Sequence, residues 1–108
     1  MNIIFGYNKD NIFFSMKYSN FTLVQKNAKK YLGKTAKVYV SDRPPKKFKI
    51  FDPHNKKWVH FGLLGYEDYT KHRDKKRRQN YLNRSRKIKG NWKQNPYSPN
   101  NLSIHVLW

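Results

Sequence analysis

Residues 71–80 contain no apolar side chain, although the sequence on either side of them reads as helix. A helix polar all round has no face to press against its own core, so it is solvated, bound to a partner or unstable. A second constraint comes with the first. Residues 66–93 hold eleven bases against three acids, residues 94–108 hold neither, and the chain of 108 residues carries a formal net charge of +18. Charge on this scale accompanies disorder when aromatic and β-branched residues are scarce. Here Phe, Trp and Tyr make up 17% of the sequence, which argues for a folded body and an anionic neighbour. The length fits one small domain over residues 1–108, with residues 1–34 as an N-terminal strand and helix extension.

Periodicity predicts an α+β fold. Short strands are expected at residues 3–5 and 12–14, separated by the turn-forming stretch 6–11. Residues 21–31 predict a short helix with Leu23, Ala28 and Tyr31 on one face and Gly33 as its cap, although Thr22 and Val24 weaken it. From about residue 35 to 62 the period becomes two, which predicts a small antiparallel β-meander. Ala36, Val38 and Val40 alternate with Lys37, Tyr39 and Ser41, and Arg43-Pro44-Pro45 ends that strand. Phe48 and Ile50 alternate with Lys47, Lys49 and Phe51; Asp52-Pro53-His54-Asn55 makes a turn; Trp58 and His60 then oppose Val59 and Phe61.

A long basic helix is expected over about residues 67–88. Glu67 with Lys71, Asp68 with His72 and Asp74 with Arg78 stand in the favourable acid-first i,i+4 order, and Gly90 closes the segment. Only Tyr81, Leu82, Ser85 and Ile88 offer it a dry stripe. A short apolar C-terminal helix follows, with Ser98 as N-cap and Pro99 at its first position.

The cations Lys71, Arg73, Lys75, Lys76, Arg77, Arg78, Arg84, Arg86, Lys87 and Lys89 form the strongest chemical signal. Clustered cations release the counterions condensed on a nucleic acid, so a polyanion is the expected partner, against a solvated helix or a patch on an acidic protein. No base-reading element is visible, so binding by charge is expected to be independent of sequence. The neutral tail, with Leu102, Ile104, Val106, Leu107 and Trp108, is expected to dock on a neighbouring protein. Tyr39, Phe48, Phe51, Trp58 and Phe61, interleaved with lysines, are expected to form the core under a lysine-fringed sheet rather than a platform for stacking bases.

Other chemistries leave no pattern. The chain lacks cysteine, which excludes disulfides, thiolate metal sites and cysteine nucleophiles. His54, His60, His72 and His105 are scattered without metal-ligand spacing, so neither metal nor cofactor is expected. No nucleophile and base, carboxylate pair or glycine-rich phosphate loop appears, and Glu67, Asp68 and Asp74 are explained more simply by helix-start electrostatics than by Mg²⁺ binding. An enzyme is not expected. No apolar run approaches the ~20 residues that span a bilayer, and residues 1–6 lack the form of a secretory signal.

The wording from Phe61 onward carries a resemblance: Gly62-Leu63-Leu64-Gly65-Tyr66-Glu67-Asp68-Tyr69-Thr70-Lys71-His72-Arg73-Asp74, then Arg77-Arg78, Tyr81-Leu82, Asn91-Trp92, Tyr97-Ser98-Pro99-Asn100-Asn101-Leu102-Ser103 and Leu107-Trp108. With the turn region 41–49, it resembles a family of short basic proteins of nucleocytoplasmic large DNA viruses, mimivirus-like and chlorella-virus-like. The resemblance covers residues 41–108 and makes 35–108 the family-like core. It carries no catalytic or ligand-binding residue. It implies a viral setting: a minor capsid or capsid-lining component of the virion, assembled in a cytoplasmic virus factory and contacting other virion proteins or viral DNA. The alternative is a free, sequence-independent DNA- or RNA-binding protein that packages or protects the genome.

Overall fold

The computed structural model describes residues 16–108. The strands expected at 3–5 and 12–14 lie outside them. Helix α1 (Phe21–Leu32) is followed by strands β1 (Val38–Val40), β2 (Lys46–Asp52) and β3 (Lys57–Leu63). Helices α2 (Tyr69–His72) and α3 (Lys75–Ser85) come next, then a 3-10 turn at Trp92–Gln94. The last helix, α4 (Pro99–Leu102), runs on as one π-helical turn, Ser103–Leu107.

Helix α1 starts where Asn20 Oδ1 accepts the Leu23 amide at 3.2 Å, and it ends at Gly33, whose φ of +116° suits glycine. Its buried face is Val24 with Ala28, both 0% exposed, one residue round from the Leu23, Ala28 and Tyr31 stripe that the sequence suggested. Valine loses at most ~0.7 kcal/mol in helix propensity, whereas burying its side chain gains ~1.5–3 kcal/mol, so packing decides.

The meander forms as expected, an antiparallel sheet in the order β1-β2-β3. Val38, Ile50 and Val59 stand in one cross-strand row, and Val40, Phe48 and Phe61 in the next. These rows close on Val24 and Ala28 of α1 and on Leu102, Val106 and Leu107, so the core lies on one face of the sheet. Asp52 fixes the β2–β3 turn by accepting the amides of His54 (2.9 Å) and Asn55 (3.2 Å). Of the aromatic residues expected in the core, Phe48 and Phe61 are there, while Tyr39, Phe51 and Trp58 are not. They sit on the opposite parity of the strands, so alternation turns them to the other face.

The C-terminal residues also depart from expectation. Leu102, Ile104, Val106 and Leu107 are buried in this chain's own core instead of facing a neighbour. Helix α1 supplies Val24 and Ala28, with Phe21, Tyr31 and Leu32 partly buried beside them, and the tail covers the rest of the sheet's inner face. Ser98 caps α4, its Oγ accepting the Asn101 amide at 3.2 Å. The Trp108 amide then donates to Ser103 at 3.1 Å across the π turn. Gly62, at φ +80°, leaves room for the tail: a methyl there would stand 3.0 Å from Leu107 and 3.1 Å from the Lys47 Cβ.

One ionic cluster is built inside the fold. Lys47 and Asp68, each with a side chain 2% exposed, form an ion pair at 2.9 Å. Asp68 also accepts the Ser19 hydroxyl at 2.5 Å, the Thr70 amide at 3.0 Å and the Thr70 hydroxyl, and the Lys47 ammonium reaches the Tyr18 carbonyl at 3.3 Å. Burial pushes the Lys47 ammonium below the ordinary lysine value against the opposing pull of Asp68. The cluster ties the chain before α1, the central strand and the start of α2 together.

Candidate nucleic-acid interface

The basic stretch is helical but in two pieces. Asp68 caps α2 through its bond to the Thr70 amide, and Arg73 leaves the helix in the left-handed region at φ +57°. Asp74 then starts α3, its Oδ1 accepting the amides of Lys76 (2.9 Å) and Arg77 (3.1 Å). An aspartate that accepts the amides two and three residues on makes a stronger helix start than an i,i+4 ion pair makes a continuation. The expected side-chain pairs are accordingly replaced. Asp68 is taken by Lys47 instead of His72, Asp74 serves as a cap instead of pairing with Arg78, and Glu67 lies 3.9 Å from Arg77 instead of meeting Lys71. Hydrogen bonds to the amides, Arg77 first, hold the Asp74 carboxyl below its ordinary value.

Helix α3 rests on the body by a narrow contact. Leu82 and Ser85 are buried, and the Tyr81 ring stacks on Trp108 with centroids 4.2 Å apart and planes 7° from parallel. Asn100 donates to the Ser85 carbonyl at 3.1 Å. Ile88, expected in the dry stripe, is 53% exposed beyond the helix end. Arg78 donates through Nε to the Trp108 main-chain oxygen at 2.7 Å, and its guanidinium lies 5.1 Å from the Tyr69 ring centre. Arg73 covers the same ring at 4.2 Å, and Arg84 lies 6.0 Å from Tyr81.

Every cation expected to meet a polyanion, from Lys71 to Lys89, is exposed. Arg73 and Arg78 also brace the fold through Tyr69 and Trp108. Lys71, Lys75, Lys76, Arg86, Lys87 and Lys89 have no ion-pair partner among the described residues. The expected docking residue Trp108 is half-buried, wedged between Tyr81 and the His72 ring 5.1 Å away. His72 accepts the Asp74 amide through Nδ1 at 2.9 Å, and its Nε2 is buried with no partner among the described residues. Burial first, then Arg77, pushes His72 below the ordinary histidine value.

Between α3, the end of β3 and the C-terminal helix lies an open cleft of about 640 Å³. Arg77 and Arg84 enter it from α3 and Lys46 from β2, over a floor that includes Leu63, Tyr81 and Leu107. Tyr66, 67% exposed, stands at its side. Sequence reasoning found the cations but missed the aromatic residues that seat them. The available signal was the i,i+4 spacing of Tyr69 with Arg73. Among the described residues no group of His, Asp and Glu side chains is placed to hold a metal ion, and no helix is long and apolar enough to cross a membrane.

Residues 36–85 match a family described as "Family of unknown function (DUF5754)". The matched span takes in the sheet, α2 and α3, and leaves α1 and the C-terminal helix outside. No curated protein and no solved structure matches.

Proposed function

We propose that this protein is a non-enzymatic, sequence-independent nucleic-acid-binding protein that packages or protects a genome, working through the exposed cations of α2, α3 and the segment that follows. One observation carries the reading: the cations from Lys71 to Arg84 stand on or at the ends of two capped, braced helices, Arg86, Lys87 and Lys89 follow the second, and a single 3.9 Å contact, Arg77 with Glu67, is the ion pair they make among the described residues. Evenly spaced phosphates are the partner that such a surface rewards, through counterion release rather than through contacts to base edges. The capsid-lining reading, which the sequence put first with nucleic-acid binding as its alternative, relied on a free apolar tail. With Leu102, Val106 and Leu107 serving the chain's own core, the nucleic-acid reading has the better support. A viral setting remains what the resemblance of residues 41–108 implies.

The test uses cations that brace nothing. Replacing Lys75, Lys76 and Lys87 with Gln is expected to flatten a plot of log affinity against log salt on duplex DNA by about 0.9 for each phosphate that no longer meets a cation. An unchanged slope rejects this surface.

A further inference from the structure

We propose that the outer face of the sheet is a second nucleic-acid site, which stacks the bases of a single strand. It lies on residues separate from α3 and does not depend on the reading above.

Three rings cross the three strands there: Tyr39 of β1, Phe51 of β2 and Trp58 of β3. Phe51 and Trp58 face each other in register, and Trp58 meets Phe51 edge-on at 5.5 Å and 70° and Tyr39 at 5.5 Å and 80°. Phe51 is 42% exposed and Trp58 44%. The core has no need of them, because the opposite parity of the same strands fills it with Val38, Phe48, Ile50, Val59 and Phe61. An exposed apolar patch that serves no core marks a contact surface.

Charge selects the occupant. The Lys49 ammonium lies 4.9 Å from the Trp58 ring centre and the Lys37 ammonium 5.3 Å from that of Tyr39, while Asp42 is paired with Lys49 at 3.4 Å. A pocket of about 300 Å³ beside the rings is lined by Lys37, Tyr39, Phe51, Pro53, Trp58 and Tyr97. An apolar protein surface docking here would strip water from the exposed Lys37 ammonium without replacing it. A single strand offers phosphates to the lysines and flat bases to the rings, with the lysine stems swinging aside as a base arrives. A duplex keeps its base faces inside its own stack, so this site discriminates unpaired from paired nucleic acid, which α3 does not.

The experiment measures affinity for oligothymidylate and for duplex DNA side by side at fixed low salt. Trp58→Ala is expected to weaken oligothymidylate binding about tenfold, the change that a loss of ~1.4 kcal/mol from one stacked base produces, and to move duplex binding less than about twofold. Trp58→Phe retains most of the affinity, and Phe51→Ala, which removes the neighbouring ring, gives the same strand-selective loss should Trp58→Ala not fold. Replacing Lys75, Lys76 and Lys87 with Gln weakens both ligands together, so failure of the α3 surface is read separately. Oligothymidylate affinity unchanged in both ring variants, a loss shared equally with the duplex, or self-association of the wild type that Trp58→Ala abolishes would each overturn the proposal.

Discussion

Lys47 and Lys75 carry the same ammonium group under opposite conditions. Lys47 lies inside, 2.9 Å from Asp68 and beside the Tyr18 carbonyl; Lys75 opens α3 in solvent with no ion-pair partner among the described residues. A buried charge is tolerated only when paired and hydrogen-bonded, so the interior claims an acid. The other acids among the described residues are also occupied. Asp42 pairs with Lys49, Asp52 holds the β2–β3 turn, Glu67 faces Arg77 and Asp74 caps α3. A chain with so few carboxylates that uses them for architecture leaves its helical cations for an external anion. The two regions therefore answer to different perturbations: the interior to removal of a partner, the surface to salt.

The largest effect is expected at the interior pair. Asp68→Ala strands the Lys47 ammonium and should cost about 3–5 kcal/mol in chemical denaturation, enough to unfold a marginal domain. Replacing both partners, as Lys47→Met with Asp68→Leu, should restore most of that loss. A single substitution as mild as those on α3 would erase the contrast. Next comes the tail. Leu102→Ala should cost about 2–5 kcal/mol by emptying a core position, whereas a tail reserved for a neighbouring protein would tolerate it. Gly62→Ala should cost about 1–3 kcal/mol, from its positive φ and the 3.0 Å approach of Leu107.

Much of this was legible beforehand. The alternation of Val38 and Val40, Phe48 and Ile50, Val59 and Phe61 specified the sheet and its buried face, and the Asp52-Pro53 turn specified the hairpin. Local rules also marked Ser98 and Gly33. What could not be read were choices settled by distant partners. Nothing near Asp68 in sequence announces Lys47, which competes for it with His72 four residues away, so a surface pair was expected where an interior one forms. The tail looked like a docking element because its apolar residues are equally suited to either fate. Only the shortage of other inward-facing side chains decides between them. The cations of the interface were legible by type, but the Tyr69 and Trp108 contacts that orient Arg73 and Arg78 depend on tertiary placement.

Acidification probes both regions more gently. His60, His72 and His105 all titrate below the ordinary histidine value, each chiefly through burial; Arg43 adds to the shift at His60, Arg77 at His72 and Arg86 at His105. The unfolded chain then binds protons more readily than the native one, so this contribution is present above about pH 6.5 and is lost as pH falls toward 5. At His60, Nδ1 lies 2.7 Å from the Ser41 hydroxyl, which also accepts the Arg43 amide. The groups that shift His60 are Arg43, Lys46 and Lys49, with Asp42 opposing them. Thermal midpoints should therefore drop between about pH 7 and 5, and His60→Gln should make that drop shallower. The smallest effect belongs to α3: Lys75→Gln with Lys76→Gln should change stability by less than about 0.5 kcal/mol while weakening nucleic-acid binding.

The claim that the acids serve the fold and leave the helical cations for an outside anion is tested most directly by thermal melting of the intact chain with and without short duplex DNA. At low salt the account predicts a midpoint that rises with duplex concentration, and a rise that disappears as salt is added, because binding to the native state stabilises it by mass action. A midpoint indifferent to the duplex at low salt would contradict it.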